Sequence, residues 1–294
     1  MWLINVENGL LEEFIGARIP PYAILSHTWE DGQEVTFQEV NDHQANKGKR
    51  GYQKIKMTCK LAAEDGLQYV WVDTCCIDKS SSAELTEAIN SMYNWYKRSA
   101  QCYAYLSDLS SVPTVPLEGG SWAVEHCRWF RRGWTLQELI APTEIKFYNQ
   151  DWRLCFKRSD ASDQLAQITG VESEILNHTK ELSMVSVAQK MSWAASRQST
   201  RIEDTAYCLL GIFEINMPLL YGEEERAFTR LQAEIIKSCP DPSIFAWTHL
   251  EAGRTAKLFS GVLAPSPESF SSCRKMIKLR GLFIILKGLQ IKGP

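Results

Sequence analysis

Four short runs along the chain are dense in apolar residues: YAILSH at 22–27, LQYVWVD at 67–73, QCYAYLSD at 101–108 and EIKFYN at 144–149. Each is apolar enough to be buried on both faces, as the strands of a parallel sheet are. Between the first two, KGKRGYQKIKMTCKLAAEDG brings Tyr52, Ile55, Cys59 and Ala62 round at helical spacing, with Gly66 as a stop. Between the second and third, SSAELTEAINSMYNWYKRS sets Leu85, Ile89, Met92 and Tyr96 on one stripe, with Ser81 and Glu84 spaced as a capping box. Strands alternating with helices of this length predict right-handed βαβ units and a parallel sheet covered on both faces.

Beyond Trp152 the pattern changes to a helical one, clearest in VSVAQKMSWAAS, RIEDTAYCLLGIF and EERAFTRLQAEIIKS, with SIFAW as one further candidate strand. Residues 110–121, SSVPTVPLEGGS, read as a loop. The expected organisation is an α/β core over 1–155 and a mostly helical extension over 156–294 packed on it. The chain stops in an apolar, glycine-interrupted stretch, as one cut from a longer protein would.

Between the third and fourth runs lies RRGWTLQELIAP, Arg131 to Pro142, with one acid, Glu138. Thr135 and Glu138 have the spacing of a capping box, Trp134 and Leu139 that of a hydrophobic staple, and Pro142 ends the helix. A helix N-terminus would also keep Glu138 ionised. Glu138 is therefore a cap, a functional carboxylate, or both.

Composition narrows the classes. Apolar residues are 45% and charged residues 23%, ordinary for a globular protein, and a net charge of −3 gives no basic footprint for nucleic acid. Nine cysteines, an odd number with no C-x-x-C pair, and five scattered histidines argue against a disulfide framework and a metal site. The N-terminus carries no signal-peptide pattern, and GLFIILKGLQI, from Gly281, is too short to span a bilayer. A cytoplasmic protein without a membrane span is expected.

In an open parallel sheet, ligands bind beyond the carboxyl ends of the strands. Those ends carry Ser26, His27, Thr28 and Trp29, then Asp73 to Asp78, then Ser107 and Asp108, all on one rim. Each alone reads as a turn or packing residue; their convergence points to a site. No Gly-x-Gly-x-x-Gly, P-loop or Gly-x-Ser-x-Gly pattern occurs, which disfavours Rossmann cofactor binding, P-loop hydrolysis and esterase chemistry.

Three blocks, PYAILSHTWEDGQEVTFQEV, GLQYVWVDTCCIDKSSSAELTEAINSMYNWYKRSAQCYAYLSD and WFRRGWTLQELIAPTEIKFYNQDW, resemble the fungal heterokaryon incompatibility (HET) domain. RIEDTAYCLLGIFEINMPLLYGEEERAFTRLQAEIIK resembles the segment that commonly follows it. The resemblance covers roughly residues 20–250 and implies a role in self/non-self recognition and programmed cell death. That family is similar in turn to TIR domains, which implies a TIR/flavodoxin-like parallel sheet flanked by helices. Many TIR domains cleave NAD at the nicotinamide–ribose bond with one glutamate in a motif like Trp-Cys-x-x-Glu-Leu. Trp134 to Leu139 resembles that motif, with Thr135 in place of the cysteine, and Glu138 is the implied catalytic residue.

Such a reaction develops positive charge on the ribose, which a nearby carboxylate stabilises. The expectation is Glu138 as that carboxylate, Trp29 or Trp134 as an aromatic wall, and Arg131 or Arg132 facing the pyrophosphate, with Ser26, His27 and Asp73 along the rim. NAD or NADP is the substrate and no cofactor or metal is needed; a homo-oligomer or an activating receptor is the expected partner. Arg131 and Arg132 also read as a solvated basic pair. The competing expectation is a module that signals by protein–protein assembly without chemistry, and a weaker third is a nuclease or protease.

Overall fold

The computed structural model describes residues 1–16, 18–42, 48–113, 122–248 and 261–277. Its strands are β1 (Trp2–Asn5), β2 (Leu11–Glu13), β3 (Tyr22–His27), β4 (Tyr69–Trp71), β5 (Gln101–Tyr105), β6 (Ile145–Tyr148) and β7 (Leu154–Lys157). They form one sheet in the order β2-β1-β4-β3-β5-β6-β7. The four central strands are parallel and are the four runs expected from apolar density, β4, β5 and β6 being shorter than their runs. β3 lies at the centre and is buried at all six positions.

The expectation of a wholly parallel sheet needs correction. β1 pairs antiparallel with β4, β2 antiparallel with β1, and β7 antiparallel with β6, so the parallel core is extended on both sides. β2 is Leu-Glu-Glu with no fully buried position, and β7 buries only Phe156. Strands paired on one side only carry no double-sided apolar run to read.

The helices beside the core are α1 (Arg50–Glu64), α2 (Ser82–Arg98) and α3 (Thr135–Ile140). α1 buries Ile55, Thr58 and Ala62 together with Lys54, whose ammonium donates to the Thr28 carbonyl at 3.0 Å and to Glu34 at 2.5 Å. α2 starts on Ser81, whose hydroxyl accepts the Glu84 N–H at 3.3 Å. The Glu84 carboxylate takes the Asp78 N–H at 2.9 Å, so the box forms on one side and braces the loop after β4. Hydroxyl groups tie the strand and helix together: Tyr96 donates to the Leu25 carbonyl at 3.0 Å and Tyr22 to the Trp95 carbonyl at 2.5 Å.

After β7 the chain is mostly helical: α4 (Ser162–Thr169), α5 (Ser173–Leu176), α6 (Val187–Ser192), α7 (Asp204–Tyr207), α8 (Leu210–Phe213) and α9 (Arg226–Ser238). The expected strand SIFAW is instead a 3-10 turn, Pro242–Phe245, because Asp241 accepts the Ser243 N–H at 2.9 Å and proline begins the turn. α8 lies on α2 with Gly211 against Tyr93, where a Cβ would sit 2.1 Å from the tyrosine Cβ. Residues 114–121 of the expected loop, and Gly281 onward, lie outside the described residues.

Candidate functional site

The strand order reverses about β3, so a crevice opens at the carboxyl ends of β3 and β5, where open α/β sheets bind ligands. Thr28 and Ser107 face each other across it, their hydroxyl oxygens 3.4 Å apart. α3 follows β5 and brings Glu138 to this rim.

The local chemistry of α3 differs from a capping box. The N-cap is Trp134, in helical backbone conformation and without a side-chain cap bond, and Thr135 is the first helical residue. The fully buried Thr135 hydroxyl donates to the Trp129 carbonyl, with the Arg132 carbonyl 2.9 Å away. At the other end Arg158 caps the helix, donating to the carbonyls of Leu139 at 2.9 Å and Thr143 at 2.5 Å. Freed from capping, the Glu138 carboxylate turns to the sheet and accepts the Ser26 hydroxyl. Ser26 in turn accepts the Trp129 indole N–H at 2.8 Å.

Glu138 is only 3% exposed. Burial, then the nearby Asp73 charge, push its carboxyl up to about 7; the Ser26 hydrogen bond, the Arg132 charge and the Tyr96 hydroxyl work the other way. The expectation that the helix N-terminus keeps Glu138 ionised is thereby corrected. A six-residue helix has a small dipole, and desolvation outweighs it. The carboxyl is poised to exchange a proton near neutral pH.

Asp73 shows the opposite behaviour. Burial acts to raise its carboxyl, but the His27 hydrogen bond and charge, with Lys79 and Arg132 nearby, hold it down at about 2. Its Oδ1 pairs with His27 Nε2 at 3.0 Å and its Oδ2 accepts the Trp29 indole N–H at 2.9 Å. The Trp29 ring carries two cations, the Lys79 ammonium 3.9 Å and the Arg132 guanidinium 4.8 Å from its centroid. Two carboxyl groups on one rim, one fixed as an anion and one able to gain or lose a proton, form the kind of pair that divides acid–base roles.

These groups border a cavity of about 670 Å³, within the size range of small-molecule and cofactor sites. Of the residues expected at the site, Trp29, Asp73, Arg131, Arg132, Trp134 and Glu138 line it directly. Ser26 and His27 are buried behind the wall and reach it through Glu138 and Asp73. Ile89 and Met92 of α2 supply an apolar floor.

One wall was not legible in the sequence: Gln198, Ser199, Thr200, Arg201, Asp204 and Tyr221 from the helical extension. The segment is strapped to the RRGW turn by its backbone. Gln198 N–H donates to the Arg131 carbonyl at 2.6 Å and Gly133 N–H to the Gln198 carbonyl at 2.8 Å, a parallel bridge between Arg132 and Gln198. Arg197 donates through one nitrogen to the Arg132 carbonyl at 2.9 Å and to Thr135 Oγ1 at 3.0 Å. Burial lowers its guanidinium to about 10, still cationic at neutral pH. The only sequence hint was the polar run RQSTR, which interrupts two helical patterns.

Among the described residues no helix is long and apolar enough to cross a membrane, and no group of three or more His, Cys, Asp or Glu side chains could hold a metal ion.

Residues 22–117 match the family described as heterokaryon incompatibility protein (HET), and residues 226–257 match a domain of unknown function (DUF8212). The chain is 46% identical over 224 residues to the vegetative incompatibility protein HET-E-1 of Podospora anserina. That alignment takes in 75% of this chain and 16% of the relative, so the chain spans a small part of the relative's length. No solved structure gives a significant match.

Proposed function

The chain carries a domain of the heterokaryon incompatibility family, and from that premise we propose that it is a cell-death effector that hydrolyses NAD or NADP at the nicotinamide–ribose bond, with Glu138 as catalytic carboxylate. The observation that carries the reading is a buried glutamate near pKa 7, held by Ser26 at the wall of an arginine-lined cavity at the sheet's switch point. The order of the four parallel strands, second-first-third-fourth along the chain, is that of flavodoxin-like sheets and supports the TIR-like comparison.

The chemistry follows from the two carboxyl groups. The bond between the ribose C1′ and the pyridinium nitrogen breaks with its electron pair going to nicotinamide, which departs neutral and needs no acid. The ribose is left as an oxocarbenium-like centre, stabilised by carboxylate charge in a low-dielectric site. Water adds to C1′, and its proton passes to Glu138 and then to solvent. Asp73 holds its charge in place because both its oxygens are engaged by His27 and Trp29. Trp29 is taken up by its two cations, which leaves Trp134 as the aromatic wall. Arg132, rather than the exposed Arg131, faces the phosphates.

Self-association or an activating receptor belongs to the same proposal as the trigger. The test is nicotinamide release from NAD and from NADP by artificially clustered protein, followed by chromatography, with Glu138→Gln alongside and both melting temperatures measured. Release that Glu138→Gln all but abolishes, with no fall in melting temperature, supports the proposal. No release by clustered wild-type protein rejects it in favour of a module that signals by assembly alone.

A further inference from the structure

The extension brings its own acid and aromatic rings into the cavity. The Tyr221 hydroxyl donates to Asp204 at 3.0 Å, the Arg201 guanidinium lies 4.5 Å over the Tyr221 ring, and the Trp134 side chain faces the same carboxylate. Trp134 stands four residues before Glu138, one helical turn away on the same face, and lines the same cavity. Arg132 lies over the Trp29 ring and acts by charge on Asp73, Glu138 and Asp204 alike. Its side chain lines the cavity, and its Nε is buried with no hydrogen-bond partner.

The cavity lining therefore holds a carboxylate and aromatic group from the sheet side, a second such group from the extension, and a guanidinium whose charge acts on both. That set suits a molecule built as ribose, bridging phosphates, ribose. We infer that the helical extension builds a second nucleoside subsite, in which Asp204 accepts hydrogen bonds from a ribose diol, Arg201 and Tyr221 bound the base and Arg132 holds the bridging phosphates. The ligand is then a dinucleotide rather than a mononucleotide. The inference rests on the proposed role of Glu138 for the identity of the reacting half, and on the geometry of the extension for the other.

Nicotinamide mononucleotide contains the same scissile bond without the second nucleotide, and AMP is that second nucleotide alone. Wild-type protein is expected to favour NAD over nicotinamide mononucleotide in kcat/KM by roughly 100-fold, and Asp204→Asn and Arg201→Gln to shrink that preference roughly tenfold each, the loss of one charge-assisted contact. Titration calorimetry is expected to show AMP binding that weakens by a similar factor in both variants. Arg201 is exposed, so its replacement guards against a folding defect at Asp204. Equal use of the two substrates, or AMP binding that is absent or unaffected by either change, overturns the subsite. If neither substrate is cleaved, the glycohydrolase proposal fails, and the AMP titration alone then upholds or overturns the subsite.

Discussion

The Ser26 hydroxyl donates to the Glu138 carboxylate, joining residues 112 positions apart, one at the end of the central strand and one in the helix that follows the third parallel strand. The bond gives Glu138 a tertiary partner in place of the local one that its spacing from Thr135 suggests.

Glu138→Gln therefore separates work from support. Turnover is expected to fall by about 10²–10³-fold. Stability changes with pH in a defined sense. The folded protein holds the Glu138 proton up to about 7, whereas an unfolded chain releases it near the ordinary 4.5. The protonated group's contribution is complete below the unfolded value and is lost as pH rises through the folded one. Between about pH 4.5 and 7 the wild type should lose on the order of 3 kcal/mol that Glu138→Gln keeps. Urea titrations of both proteins at pH 4.5, 6 and 8 check this; parallel pH dependence in the two would contradict it.

The pH profile of turnover should rise with unit slope to about 7 and then level, because the carboxylate is the working form. Two neighbours move that limb in opposite directions. Ser26→Ala removes a bond to the anion and shifts the midpoint to higher pH; Asp73→Asn removes a like charge and shifts it lower, each by about one pH unit. Shifts of the same sign would separate Glu138 from the titration.

Thr135→Val removes the hydroxyl shared by the Trp129 and Arg132 carbonyls and Arg197, and should cost about 2 kcal/mol in denaturant unfolding. Its full burial makes water a poor substitute. A neutral result would mean that the turn before α3 holds itself without the hydroxyl.

Gly211→Ala forces a methyl group to within 2.1 Å of the Tyr93 Cβ, an atom that no rotamer change can move. An overpacking cost of about 1–3 kcal/mol, read as a lower melting temperature, is expected where α8 meets α2.

The central strands were legible because burial on both faces leaves an unbroken apolar run, and the rim followed from the rule that open sheets bind at strand ends. The edge strands were not, since Leu-Glu-Glu in β2 pairs through backbone that any residue supplies. Glu138 stood out as the one acid between Arg131 and Pro142, yet its partner was misassigned. A capping box is a local pattern, and nothing local to α3 mentions Ser26. The wall made by Arg201, Asp204 and Tyr221 was hidden for a similar reason: the strap that delivers it is a backbone bridge at Gln198, which leaves no signature in side-chain type.

That bridge makes occupancy of the cavity and integrity of the extension reciprocal. A molecule filling the space contacts β-sheet rim and extension at once, so its binding energy adds to the free energy that holds them together, by an amount growing with the logarithm of its concentration over its dissociation constant. The converse is obligatory: anything that loosens residues 197–204 weakens binding by the same factor. A force or a partner acting on the helical extension thus has a thermodynamic handle on the site without touching Glu138.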